Sequence, residues 1–161
     1  MHCDIAIIGA GPSGLCLARA LADSGLAVTL IERQSEEAIA NPAFDGREIA
    51  LTHTSRALLQ QLDIWDRLPS DDVALLRDAQ VFNGPSAFAL QIQARHAGRD
   101  HLGHLVANRA IRQAAWDSVQ AKGTTTLRAG TRLRHLRQHS GGVELALDDS
   151  STLECSLLVA A

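Results

Sequence analysis

Gly9-Ala10-Gly11-Pro12-Ser13-Gly14 sets three glycines in the spacing GxGxxG, which suits the chemistry of holding a pyrophosphate against bare backbone. In that chemistry Gly9 makes the tight turn, Gly11 lets the main chain approach the phosphates, and Gly14 lets a helix pack closely on a strand. Pro12 and Ser13 lie in the same turn and are counted with the glycines as cofactor-contacting positions. Glu32 follows eighteen residues after Gly14. A carboxylate there accepts hydrogen bonds from both hydroxyls of an adenosine ribose and repels the extra phosphate of NADP. These residues therefore suit FAD or NAD. The plainer alternative is an ordinary strand-to-helix turn followed by a solvated charge at a strand end.

A glycine spacing alone is a weak signal, and its weight comes from the elements around it. Residues 4–8 (DIAII) form a short apolar run ended by glycine, as in a parallel strand covered on both faces. Pro12 sits in the first turn of a predicted helix, where Leu15, Ala18, Leu21 and Ala22 recur at helical spacing until Gly25. Residues 26–31 (LAVTLI) read as a second buried strand that delivers Glu32. Residues 1–33 thus have the order and size of one βαβ unit, with the helix N-terminus offering free N–H groups to an anion.

Beyond Arg33 the pattern loosens into a loop through Asn41, Pro42 and Asp45-Gly46. A second helix is predicted over roughly 52–62, capped by Thr52 or Thr54. Stretches near 78–82 and 87–93 flank Asn83-Gly84-Pro85-Ser86 and read as a hairpin, one arm over about 77–100 that leaves the first sheet. Asn108 can cap a third helix carrying Ile111, Ala114, Ala115 and Val119 on one face. Strands are expected near 125–128, 131–137, 143–147 and 152–160. The last of these ends in an apolar run without a turn or cap, which suggests a truncated chain.

The chain has 161 residues, 46% of them hydrophobic, enough for one domain with a core. Fifteen Lys plus Arg against eighteen Asp plus Glu give a net charge of −3, so there is no basic field for nucleic acid. The N-terminus lacks a basic leader region, and a cytoplasmic location is the expectation. Cys3, Cys16 and Cys155 are far apart and read as structural thiols. Among seven histidines, His101 and His104 form HxxH in a stretch, AGRDHLGH, that reads as a loop. Two ligands do not make a metal site, so packing or solvated histidines are expected and no metal is assigned. His53 is given no role.

The opening IAIIGAGPSGLCLARAL, with LIER closing the βαβ unit, resembles the FAD-binding domains of class A flavin monooxygenases, the group that includes aromatic hydroxylases. Within it, DGREIALTHTSRALLQQLDIWDRL (Asp45 to Leu68) is similar to the ubiquinone-biosynthesis hydroxylases, in the branch acting on demethoxyubiquinol-type rings, and LGHLVANRAIRQAAW fits the same group. The resemblance runs over nearly the whole chain, with specific motifs in about the first 70 residues. It implies an α/β, FAD-binding Rossmann-like domain of the glutathione-reductase type, incomplete over 1–161, with part of a β-rich substrate layer. It further implies that Arg47 reaches the FAD pyrophosphate or the groups beside the flavin ring, that Arg33 lies near the adenine ribose, and that Asn108 makes a polar flavin contact. A guanidinium forks well onto phosphate oxygens, and the Asp45-Gly46 turn could aim it inward. The alternatives are a surface ion pair of Arg47 with Asp45 or Glu48, and a plain capping role for Asn108.

In such enzymes a nicotinamide cofactor, NADH or NADPH, reduces FAD, and molecular oxygen is activated for delivery to an electron-rich aromatic or quinol ring. Peripheral association with the inner membrane or with a biosynthetic complex is compatible with that role. Relatives carry an Asp-Gly signature directly after the final strand and a later Gly-Asp segment that holds the ribityl chain. Neither occurs here, so no catalytic acid or base is named. Two other readings stand beside this one: another FAD-dependent oxidoreductase of the same fold, such as an amine oxidase or a prenyl reductase, and an inactive nucleotide-binding fragment. Arg47 and its flanks argue against the first.

Overall fold

A computed structural model of the protein describes residues 1–86 and 88–161. Its main sheet has six strands: β1 (His2–Ile8), β2 (Val28–Ile31), β8 (Thr126–Arg128), β9 (Leu133–His139), β10 (Gly142–Leu147) and β11 (Thr152–Ala160). They lie in the order β8-β2-β1-β11-β10-β9. The first four run parallel, and β10 and β9 add an antiparallel edge. β1 is apolar from Ile5 to Ile8, where the sheet is covered on both faces. Ile5 and Ile7 pack with Leu15, Ala18, Leu30 and Trp116 on one side, while Cys3 and Ala6 pack with Leu145, Leu153 and Cys155 on the other.

Two helices close the first face. α1 (Pro12–Leu21) starts with proline, whose missing N–H costs nothing there. α4 (Asn108–Lys122) buries Ile111, Ala114, Ala115 and Val119 and stops at Gly123 in the left-handed region, φ 65°. Small residues let the two helices approach, and a polar bridge locks them. The Ser118 hydroxyl donates to the Leu62 carbonyl at 2.7 Å and accepts from Arg19 Nε at 2.9 Å. Leu15, Ile7 and Ile64 are fully buried at this junction, each stabilising the fold by about 1.5–3 kcal/mol.

A second sheet escapes the sequence analysis. β3 (Glu48–Thr52), β7 (Gly103–Ala107) and β4 (Val73–Leu76) pair antiparallel in the order β3-β7-β4. Each is only four or five residues long, and Glu-Ile-Ala-Leu is as compatible with a helix lead-in as with a strand; pairing across some fifty residues decides it. The expected loop after Arg33 also holds a short helix, α2 (Glu36–Ala40), capped by Ser35. α3 (His53–Gln61) begins where predicted, and Thr52 is its cap, accepting from Ser55 N–H at 3.1 Å. The hairpin forms a separate sheet of β5 (Asp78–Phe82) and β6 (Ala89–Gln93). Ala87, the first residue of that second predicted strand, lies outside the described residues.

Gly103 is the tight point of the second sheet. A Cβ there would stand 2.1 Å from the Leu51 carbonyl oxygen, a backbone atom that cannot swing aside. Gly103→Ala should therefore lower the urea midpoint with little change in slope, a loss of about 1–3 kcal/mol for an overpacked site. A wild-type midpoint would show that β3 and β7 have room the structure denies them.

Candidate cofactor site

The carboxyl ends of β1 and β2 open into a cleft of about 470 Å³, within the size range of small-molecule sites. Of the residues singled out from sequence, Gly9, Gly11, Glu32 and Arg33 line it. Gly9 has φ 107°, and its carbonyl oxygen would lie 1.9 Å from a Cβ on Gly14. Gly14 is thus buried in the strand–helix contact and stands behind the cleft rather than in its wall. At Gly11 a Cβ would meet nothing within 4 Å. The glycine there keeps open space above the start of α1, and no acidic residue occupies that helix's first turn. Pro12 and Ser13 face a second, more apolar cleft of about 310 Å³, shared with Ile49, Leu51 and Leu58.

Glu32 is held by main chain on both sides. Its Oε2 accepts from Ala10 N–H and its Oε1 from Gln34 N–H, each at 2.8 Å. An ionised carboxylate has about four acceptor positions, so two remain for a ligand after these bonds fix its direction. Thr131, Arg132 and Leu133 form the opposite wall, which the sequence analysis missed. The turn before β9 is drawn in by Gly130 N–H donating to Gln34 O at 2.8 Å and Thr131 N–H donating to Glu32 O at 2.9 Å. The available signal was the short gap between the strands expected near 125–128 and 131–137, a turn at the same sheet end as Glu32.

Arg47 and Asn108 lie apart from the lining of this cleft, and they meet each other. The Arg47 guanidinium pairs with Asp45 Oδ2 through Nη2 at 2.6 Å and Nε at 2.8 Å. Asn108 is buried and donates from Nδ2 to the same oxygen at 2.7 Å, while its N–H donates to Arg47 O at 2.9 Å. The capping expectation for Asn108 is corrected: Ala107 holds the cap position without a side-chain cap bond, and Asn108 is the first helical residue. Its side chain turns away from the helix because the charged Asp45 acceptor is the stronger partner. Hydrogen bonds from Arg47 and Asn108 hold the Asp45 carboxyl down at about 2.

His53, His101 and His104 converge although they span three segments. Their ring centroids lie 4.7 Å (His53–His101), 5.2 Å (His101–His104) and 6.5 Å (His53–His104) apart, and Trp65 stands 5.0 Å from His104. His104 belongs to β7, not to the loop expected from sequence. His53 Nε2 lies 3.0 Å from the His101 carbonyl, which can only accept, so the proton sits on Nε2. Arg56 stacks on Trp65 at 5.0 Å. Among the described residues no group of His, Cys, Asp or Glu is arranged to hold a metal ion.

A parallel sheet with a glycine turn, an opened helix N-terminus and a clamped strand-end carboxylate defines a dinucleotide-binding domain of the flavoprotein type. The chain belongs to the FAD binding domain family, matching it over residues 2–161. It is 41% identical to ubiquinone hydroxylase UbiM of Neisseria meningitidis, an alignment covering 100% of this chain and 36% of that protein. It is 30% identical to 3-demethoxyubiquinol 3-hydroxylase of Escherichia coli, over 98% of this chain and 40% of that one. The fold superimposes on OxyS anhydrotetracycline hydroxylase of Streptomyces rimosus with a TM-score of 0.76 at 22% identity, covering 100% of this chain and 32% of that chain. The resemblance read from sequence thus holds, and the chain spans roughly two fifths or less of the curated relatives it matches. No helix among the described residues is long and apolar enough to cross a membrane.

The histidine cluster makes a pH prediction. Burial, then the nearby Arg56, His101 and His53, depress the His104 pKa below its ordinary 6.5. The unfolded chain then binds more protons than the folded one, so this contribution is complete above 6.5 and is lost as pH falls toward the folded value. Replacing His104 with Phe should flatten the decline in melting temperature between about pH 7 and pH 5. An unchanged slope would remove His104 from the account.

Proposed function

We propose that the cleft holds the ADP half of FAD and that this chain is the FAD-binding part of a flavin-dependent monooxygenase hydroxylating an aromatic or quinol ring in ubiquinone biosynthesis. The observation that carries the reading is Glu32, locked by Ala10 and Gln34 N–H groups beside the open space over Gly11. A ribose placed there receives the two remaining acceptor positions, and its pyrophosphate runs to the exposed N–H groups at the start of α1. Arg33 flanks the ribose from the same wall. The substrate class follows the names of the relatives, ubiquinone hydroxylase and 3-demethoxyubiquinol 3-hydroxylase.

Beyond α1 the dinucleotide extends past Pro12 and Ser13, where β3 runs alongside. Arg47, immediately before β3, meets the pyrophosphate, and Asn108 supports that contact from the start of α4. When bound, FAD supplies the redox chemistry, taking electrons from NADH or NADPH and activating molecular oxygen. The residues of this chain bind, orient and neutralise; none is assigned as acid or base. The β5–β6 hairpin, with Val81, Phe82, Phe88 and Leu90 exposed, is the arm that joins the β-rich substrate layer. Peripheral contact with the inner membrane or with a biosynthetic complex would bring an apolar quinol within reach.

Two substitutions in the full-length protein test the site. Gly11→Val puts a branched side chain in the space a phosphate needs, at a position where its Cβ would meet nothing within 4 Å, so flavin content should collapse with the melting temperature of the apoprotein nearly unchanged. Glu32→Ala removes charge-assisted hydrogen bonds of about 1.5–3 kcal/mol and should weaken FAD binding about tenfold or more. A Gly11→Val protein that purifies yellow at wild-type stoichiometry would refute the assignment.

A further inference from the structure

We propose that Asp45 is a positioning residue for the cofactor phosphates: it grips one edge of the Arg47 guanidinium and, through Asn108, ties it to the buried start of α4, presenting the opposite edge to the anion. This rests on the reading of Arg47 as a pyrophosphate contact. Two donors converge on Asp45 Oδ2, Arg47 Nε at 2.8 Å and Asn108 Nδ2 at 2.7 Å, and Arg47 Nη2 makes an ion-pair contact with the same oxygen at 2.6 Å. Its other oxygen accepts the Arg47 N–H at 3.1 Å. Gly46, at φ 67°, makes the turn that folds Arg47 back onto Asp45.

A guanidinium has five N–H donors in a planar fork. Asp45 covers the Nε–Nη2 edge with a hydrogen bond to Nε and an ion-pair contact to Nη2, and Nη1 has no hydrogen bond among the described residues, so both Nη1 donors stay available to a phosphate. An isolated surface pair would restrain Arg47 weakly, since long exposed side chains lose entropy on pairing. Here the anchor is not isolated. Asn108 is 3% exposed and spends its amide on Asp45, and the Asn108 N–H holds the Arg47 carbonyl at 2.9 Å. Side chain and main chain of Arg47 are both fastened to one buried helix end. Asp45 stays ionised throughout the pH range of a binding assay, because Arg47 and Asn108 hold its pKa at about 2.

The test is a double-mutant cycle on the full-length apoprotein titrated with FAD, followed by flavin fluorescence, with melting temperatures recorded for each variant. Arg47→Ala should weaken FAD about tenfold, and Asp45→Asn, which keeps an acceptor for Asn108, about three- to tenfold. In the Arg47→Ala background, Asp45→Asn should cost nothing further. Asp45→Glu keeps the charge but shifts it by one methylene, and it should repeat the pattern should Asp45→Asn not fold. Equal losses from the Asp45 variants in both backgrounds, following their losses in melting temperature, would make Asp45 merely structural and overturn the proposal. Weaker binding in Glu32→Ala without any change in Arg47→Ala would overturn it too, while leaving the dinucleotide reading of the cleft intact.

Discussion

A Cβ on Gly14 would stand 1.9 Å from the Gly9 carbonyl oxygen, so α1 can cross the end of β1 only because that atom is absent. The contact sets the direction in which α1 leaves the sheet, and with it where the helix N-terminus points. Gly9, at φ 107°, makes the reversal that a side chain would resist. Once α1 is placed, Leu15 and Ala18 reach Ile5, Ile7 and Leu30, and α4 stacks against it through small residues and Ser118. Gly11, between these two glycines, has open space where a Cβ would stand, so one short turn supplies both the tight contact and the wall of the cleft.

Glu32 is the electrostatic complement of that arrangement. Left to itself, a carboxylate at a strand end would wander in solvent; here Ala10 and Gln34 N–H groups aim it. The Ala10 bond comes from the glycine turn, so the carboxylate and that turn are mechanically one unit. Gly130 and Thr131 fasten the far wall to the same segment. The cleft's polar groups are therefore fixed by the protein's own hydrogen bonds, an arrangement of the kind that lowers the ordering cost of binding.

The second sheet connects two polar clusters. β3 and β7 pair over five residues, with Glu48 opposite Ala107 at one end and Thr52 opposite Gly103 at the other. Asp45, Arg47 and Asn108 gather beyond the first end, and His53 with His101 beyond the second. The two clusters differ in kind. The first joins opposite charges through short hydrogen bonds, whereas the second places Arg56 beside three imidazole rings, of which buried His104 is held below its ordinary pKa. Asp45, held at about 2, keeps the first cluster's carboxylate ionised at neutral pH, whereas in the second His104 resists protonation because it is buried beside Arg56.

Much of this was legible along the chain. The glycine spacing, Pro12 at a helix start, the strand that delivers Glu32 and the family resemblance of residues 45–68 are local patterns, and the elements that carry them form where the patterns place them. The core of the first sheet follows too, because an apolar run ended by glycine has few other uses. What the sequence could not determine depends on partners distant in the chain. β3, β4 and β7 are too short to declare themselves, and they become strands by pairing with one another. Asn108 looks like a helix cap until the fold brings Asp45 to it from sixty-three residues away. Thr131 to Leu133 enter the cleft because β8 lies beside β2, and the three histidines meet because β7 lies beside β3. Residue type and spacing select a chemistry, whereas proximity between segments distant in sequence is a property of the folded chain alone.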